Sequence, residues 1–231
     1  MFAHRGGSAL APENTIAAFD NGVALGADGL ELDVHLSCDD VVVVHHDATL
    51  ERTMHLSGPI AARSADELSR AGVPSLADVL ARYPAARIIV EMKVNMPAMA
   101  AGVIHAVRTA GAVTRVCLGS FGLRVLRAAR DLDPAVATSA ARDEVQWALY
   151  RSWCRWPLSR APYAGYQVPE RAGRTRVVSP RFVADAHRAG LGVQVWTVDT
   201  EDAARRLLGW GVDALITDRP DIIVPVCKRL R

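Results

Sequence analysis

Short apolar runs alternate along the whole chain with longer stretches in which apolar residues recur at helical spacing. The short runs read as strands and the 3.6-period stretches as amphipathic helices. Strands are predicted over residues 2–5, 29–36, 87–93, 115–119, 135–139, 165–168, 192–198 and 213–217. Helices are predicted near 15–25, 75–82, 98–110, 122–131, 144–153, 180–188 and 200–209. Such alternation is the mark of βαβ units around a parallel sheet. Eight strands in this rhythm predict an α/β fold, a (β/α)8 TIM barrel, with a doubly wound open sheet as the alternative. One run departs from it. Residues 41–46 follow Ser37-Cys38-Asp39-Asp40, a turn-forming tetrapeptide, and read as a return strand in a hairpin with the end of 29–36. From there to about Val73 the periodicity is weak, which predicts a loop-rich cap inserted after the second strand. No linker or sequence repeat divides the chain, so residues 1–231 are expected to form a single domain.

Strand alternation then sorts the side chains. In 29–36, Leu30, Leu32, Val34 and Leu36 share one face, and Glu31, Asp33 and His35 the other. In 87–93, Ile88, Val90 and Met92 oppose Ile89, Glu91 and Lys93. In a barrel the apolar faces pack under helices, so both strands aim acidic residues inward near their C-terminal ends, where barrel active sites lie. Crowded carboxylates raise one another's pKa, and burial raises it further. Two resolutions are open: a hard divalent cation, Mg2+ or Ca2+ with Mn2+ also admissible, or pairing with Lys93 and Arg5 in a structural network. His4 ends the first strand before Arg5-Gly6-Gly7, and His45 and His46 end the return strand beside Asp47. Histidines, cations and carboxylates in this combination suit proton transfer at a phosphoryl group.

Charge and composition narrow the partners. The net charge is +2 with both signs interleaved, which excludes a nucleic-acid footprint and leaves an anionic substrate to be held locally. Lys228, Arg229 and Arg231 read as a short solvated tail. Cys38, Cys117, Cys154 and Cys227 match no zinc spacing and are expected as reduced thiols. No apolar run approaches the roughly 18 residues of a membrane span, and no signal segment opens the chain, so a cytoplasmic location is expected. Trp147, Tyr150, Trp153 and Trp156 cluster with Arg151, Arg155 and Arg160, which reads as ordinary helix packing, with peripheral lipid contact as the alternative. Asp218-Arg219, just past the last strand, reads as a surface turn, with a phosphate-binding loop as the alternative, and His55, His105 and His187 receive no role.

The motifs His4-Arg5-Gly6-Gly7, Pro12-Glu13-Asn14-Thr15, Glu31-Leu32-Asp33-Val34, His46-Asp47 through Thr53 and Glu91-Met92-Lys93 follow in this order. Gln194-Val195-Trp196-Thr197 and the stretch from Gly211 to Pro220 continue the series. The ordered set resembles the glycerophosphodiester phosphodiesterase family across nearly the whole chain. The resemblance implies metal-dependent hydrolysis of a small-molecule glycerophosphodiester to glycerol 3-phosphate and an alcohol. By position it implies that His4 and His46 are the acid–base pair and that Glu31, Asp33 and Glu91 bind the metal. Arg5 and Lys93 correspond to the phosphate-contacting cations, and Glu13 to a partner that orients Arg5. Trp196 is expected either to wall the glycerol pocket or to pack in the core, and His45, pointing opposite to His46, to pack or to face solvent. Two alternatives keep much of this residue set: a lysophospholipase D-like or sphingomyelinase D-like lipid phosphodiesterase, and a non-catalytic barrel that binds a phosphorylated ligand.

Overall fold

The computed structural model describes residues 1–157 and 161–230. The chain runs β1 (Phe2–His4), α1 (Ile16–Ala24), β2 (Gly29–Leu36) and the return strand β3 (Val42–Val44). A cap follows, built of α2 (Glu51–Met54), a 3-10 turn (Ile60–Ala62) and α3 (Ala65–Arg70). The helix α4 (Leu76–Arg82) then resumes the alternation with β4 (Arg87–Met92), α5 (Pro97–Thr109), β5 (Val116–Gly119), α6 (Leu123–Leu132), β6 (Ala137–Thr138) and α7 (Arg142–Trp153). The second half contains β7 (Gly165–Pro169), a small hairpin of β8 (Arg171–Ala172) and β9 (Thr175–Arg176), α8 (Pro180–Arg188), β10 (Gly192–Trp196), α9 (Glu201–Gly209), β11 (Ala214–Thr217) and α10 (Pro220–Arg229).

Among the described residues, eight strands form one parallel sheet in the order β6-β5-β4-β2-β1-β11-β10-β7. A parallel bridge between Ser139 and Gly165 joins its two ends. Around that bridge Ala164 donates to the Thr138 carbonyl at 2.8 Å and Ala140 to the Gly165 carbonyl at 2.9 Å. The sheet is therefore a closed (β/α)8 barrel, and the doubly wound alternative is excluded. Helix starts follow from local chemistry: Thr15, Ser64, Ser75, Ser179 and Thr200 each accept a backbone N–H of the first turn. Leu30, Leu32, Val34, Ile88, Val90 and Met92 pack outward under the helices, as alternation requires.

The loop-rich cap stands where it was expected, and Val43, Leu50, Ile60, Leu68 and Val73 give it a small core of its own. That core draws on a strand, a turn and two helices, so no single periodicity reveals it. Three expectations need correction. Lys228 and Arg229 of the basic tail form the last turn of α10, with Arg229 donating to Glu201 at 3.1 Å, while Arg231 lies outside the described residues. Pro220 and Pro225 disguise this helix in sequence; Pro220 opens the first turn, where the lost N–H has no intrahelical partner anyway, and Pro225 lies inside the helix. The hairpin β8–β9 was not anticipated, since two-residue strands leave no periodic trace. The aromatic cluster on and just after α7 is not packed away: Trp147, Tyr150, Trp153 and Trp156 are all exposed. Arg160 of that cluster lies outside the described residues.

Candidate functional site

The acidic residues arrive in two layers set by strand register. His4 on β1 pairs with Glu31 on β2, and Asp33 on β2 pairs with Glu91 on β4. One register step on, Glu91 lies opposite Gly119 of β5. A Cβ at Gly119 would fall 2.4 Å from Glu91 Oε2, so glycine there makes room for the carboxylate. All three acids line a cavity of about 930 Å3 at the C-terminal ends of the strands, together with His4, Arg5, His46, Lys93 and Trp196.

Beyond His4 the backbone enters left-handed turns, with φ of 51° at Arg5 and 87° at Gly6. A Cβ on Gly6 would lie 2.6 Å from the Ala18 backbone, so only glycine lets the turn rest on α1. This turn directs the Arg5 N–H to Glu31 Oε2 at 3.1 Å and carries the Arg5 side chain between two acids. Arg5 Nη1 donates to Glu13 Oε1 at 3.2 Å. Its Nε stands 3.1 Å from Asp33 Oδ2, close enough for an ion pair but not aligned as a hydrogen bond. Lys93 Nζ lies 3.1 Å from Asp33 Oδ1, and the Asn14 amide donates to Asp33 Oδ2 at 2.9 Å. Burial works against the Asp33 carboxylate, yet Lys93, Arg5 and Asn14 together hold its pKa below the usual value.

Its neighbours fare differently. Burial, then the charge of Asp33, pushes Glu31 up to about 7. Burial, only partly offset by Lys93, pushes Glu91 up to about 8. Among the described residues, no three His, Cys, Asp or Glu side chains stand together as a formed metal site. The cations at hand satisfy Asp33, while Glu31 and Glu91 are left harder to ionise.

Both candidate imidazoles are held by a carboxylate. His4 donates from Nδ1 to Asp218 Oδ1 at 2.6 Å, leaving Nε2 3.7 Å from Glu31 Oε2. Burial disfavours its charged form, but Glu31 and then Asp218 outweigh that and raise its pKa. His46 donates from Nδ1 to Asp47 Oδ1 at 2.6 Å. Its pKa is lowered, chiefly by burial and further by Lys93 and Arg5, against the pull of Asp47 and Asp33. The adjacent His45 points away, as alternation requires, and is buried against the Asp47 carbonyl and the Thr53 hydroxyl. His35 bonds the His46 carbonyl at 3.0 Å and steadies the same segment.

The reading of Asp218-Arg219 as a surface turn is corrected: Asp218 orients His4 and accepts from the Ser8 hydroxyl at 2.5 Å. Only the pairing of β1 with β11 brings it there. Asn14 does not cap α1; Thr15 does, which frees Asn14 to grip Asp33. Glu13 orients Arg5 and is in turn held by Arg52, which donates to it at 2.6 Å and also bonds Asp47. Glu13, Arg52 and Asp47 thus tie the Arg5 side of the site to the His46 side. Trp196 lines the cavity and meets the exposed ring of Phe121 edge-on at 6.1 Å. His187 pairs with Asp213 at 2.9 Å, away from the cavity.

The model of the glycerophosphoryl diester phosphodiesterase family matches residues 4–222. A curated Mycobacterium tuberculosis protein named probable glycerophosphodiester phosphodiesterase 2 is 33% identical, over 96% of this chain and 88% of its own length. The crystal structure of glycerophosphodiester phosphodiesterase from Agrobacterium tumefaciens superposes with a TM-score of 0.80 at 28% identity, covering 97% of this chain and 98% of that one. An Oleispira antarctica phosphodiesterase, solved in complex with the product sn-glycerol-3-phosphate, superposes with a TM-score of 0.76 at 23% identity and covers 98% of this chain and 96% of its own. With nearly every residue of the barrel inside the matched span, the chain belongs to the glycerophosphoryl diester phosphodiesterase family and is a phosphoric diester hydrolase.

Proposed function

We propose that this protein hydrolyses glycerophosphodiesters to glycerol 3-phosphate and an alcohol, with His4 and His46 as the acid–base pair. The observation that carries the reading is the pair of imidazoles lining one cavity, each fixed through Nδ1 by its own carboxylate, beside Arg5 and Lys93. A carboxylate on Nδ1 sets the tautomer and leaves Nε2 as the working nitrogen. One ring takes the proton of the attacking hydroxyl as its oxygen bonds to phosphorus. The other gives its proton to the departing alkoxide as the ester P–O bond breaks. Each transfer is typically worth about 100–10,000-fold in rate. The attacking hydroxyl belongs to water or to the substrate's neighbouring glycerol carbon. The second route passes through a cyclic phosphate that 31P NMR would detect.

Arg5 offers a planar fork to phosphate oxygens, and Lys93 adds a point charge. Both serve the charge that builds in the transition state. Glu13 and Asp33 set the Arg5 guanidinium in place. Trp196 walls the side of the cavity where the glycerol would lie. The Oleispira complex with sn-glycerol-3-phosphate supports the product class in a barrel of this fold.

The reading includes a divalent cation, Mg2+ or Ca2+ with Mn2+ as a third candidate, held by Glu31, Asp33 and Glu91. Its support is donor chemistry: the three offer only oxygen, and burial makes Glu31 and Glu91 unfavourable to ionise without more positive charge. When bound, such an ion withdraws charge from the phosphate as a Lewis acid.

The test is a coupled assay for glycerol 3-phosphate with glycerophosphocholine as substrate, with and without chelator. Release that chelator abolishes and Mg2+ or Ca2+ restores is the expected result. No release under any condition would overturn the reaction, and release indifferent to chelator would overturn the cation. A lysophospholipase D-like activity is the second reading, favoured by the apolar cavity wall of Val145, Leu149 and Trp153. Lysophosphatidylcholine in the same assay separates the two.

A further inference from the structure

We propose that the outer face of α7, with the hairpin β8–β9, docks the protein onto an anionic lipid surface with the cavity mouth turned toward it. The rings carry the first half of the argument. Trp147 is 56% exposed and Trp156 54%, and neither belongs to a packed core. Trp147 stacks on Tyr150 with centroids 5.8 Å apart, and Tyr150 meets Trp156 edge-on at 6.3 Å. The three rings therefore form one continuous aromatic ledge. A helix that needs apolar anchors only for its own packing places them against the barrel, as α7 does with Ala148 and Leu149. An exposed contiguous aromatic patch marks an interaction surface. Trp and Tyr in particular settle at the headgroup level of a bilayer, where one end of the ring is dry and the other wet.

Charge supplies the second half and selects the occupant. Arg155 follows α7 directly, and Arg171 and Arg174 stand on or between the hairpin strands, all exposed. Among the described residues none of these three has a carboxylate partner, and Arg171 donates to the Arg174 carbonyl at 3.2 Å, which holds the two hairpin arginines together. Unpaired guanidinium groups beside exposed aromatics complement anionic headgroups, with the side-chain stems lying along the apolar layer.

Placement joins the surface to the site. Trp153 on α7 and Arg171 on β8 both line the catalytic cavity. Ledge and hairpin thus flank one opening, and a protein lying on this face would present its cavity to the lipid. The inference concerns the surface alone and does not depend on which phosphodiester is cleaved.

The experiment is flotation of the full chain with vesicles of phosphatidylcholine and phosphatidylglycerol, against vesicles of phosphatidylcholine alone. Three variants accompany it: Trp147→Ala/Tyr150→Ala/Trp156→Ala, Arg155→Ala/Arg174→Ala, and the two sets combined. All five positions are exposed and outside the cavity lining, so unchanged thermal melting is the folding control. The wild type should float with the anionic vesicles, lose binding as salt rises, and bind neutral vesicles weakly. Each variant set should lower bound fraction at least tenfold. Absence of wild-type flotation would overturn the proposal, as would undiminished binding of the combined variant. Light scattering on a sizing column adds a further outcome against it: a dimer that the aromatic variant dissociates would mean a second copy covers the ledge.

Discussion

His4 and Asp218 stand 214 residues apart in the chain and meet at 2.6 Å across the seam where the first and last strands pair. The Asp218 carboxylate fixes the imidazole through Nδ1, so the ring cannot turn and Nε2 stays on the cavity side. Replacing His4 or His46 with Ala should lower turnover by about 100–10,000-fold. Asp218→Asn should cost less, about 10–100-fold in kcat, because the ring survives but loses its fixed tautomer. A changed pH–rate profile separates this orienting role from a purely structural one, and circular dichroism should show an intact barrel. Native kcat in Asp218→Asn would mean that the contact does not orient the working ring.

Glu91 has a pKa near 8 in the fold against an ordinary value of 4.5. An acid whose folded pKa exceeds its unfolded one binds more protons when folded between the two values, so its contribution to stability falls as pH rises across that window. In chelator, Tm should therefore decline from about pH 5 to pH 8 by more in the wild type than in Glu91→Gln. Adding Mg2+ or Ca2+ should raise Tm most at the alkaline end, because a ligand must be deprotonated to bind. Calorimetric melting across this range checks both halves. Identical pH profiles for the two proteins would refute the unfavourable ionisation of Glu91.

The glycine opposite Glu91 gives a positioning test. A methyl at Gly119 would collide with Glu91 Oε2 and crowd Gln167 Oε1 at 2.8 Å. Gly119→Ala should displace the carboxylate and lower cation affinity by at least tenfold, measured by isothermal titration. Melting should change little, because the collision involves flexible side-chain ends. Unaltered affinity would show that Glu91 does not depend on this clearance.

Glu13 bridges Arg5 and Arg52, and the latter also holds Asp47 behind His46. Glu13→Gln keeps the volume but weakens both ion pairs. If Arg5 grips phosphate in ground and transition states alike, KM should rise several-fold with a smaller change in kcat. A fall in kcat at constant KM would instead assign Glu13 to the proton-transfer apparatus, through Arg52 and Asp47.

Gly6 tests the backbone rather than the chemistry. Its φ of 87° and the 2.6 Å approach of a would-be Cβ to Ala18 leave no space and no relaxed conformation for a side chain. Gly6→Ala should destabilise the fold by about 1–3 kcal/mol, read from denaturant midpoints, and should also disturb Arg5. Unchanged midpoints would mean that the turn relaxes at no cost.

What the sequence determined by itself was periodic or local. Alternation along 29–36 and 87–93 assigned Glu31, Asp33 and Glu91 to the inner face, because a strand sends successive side chains to opposite sides whatever surrounds it. The same rule set His46 apart from His45. The order of the motifs was enough to indicate the family. What the tertiary structure decided was everything that depends on which strands become neighbours. Only the pairing of β1 with β11 turns Asp218 from an apparent loop residue into the partner of His4. Only the turn after β1 lets Asn14 and Arg5 share Asp33 with Lys93, a distribution of charge that spacing left open between a cation site and an ionic network. The rings of α7 belong to the same class. Helical spacing cannot distinguish an apolar face that a neighbour covers from one left bare, and it was the packing of α7 and the turn after it that left Trp147, Tyr150 and Trp156 in solvent.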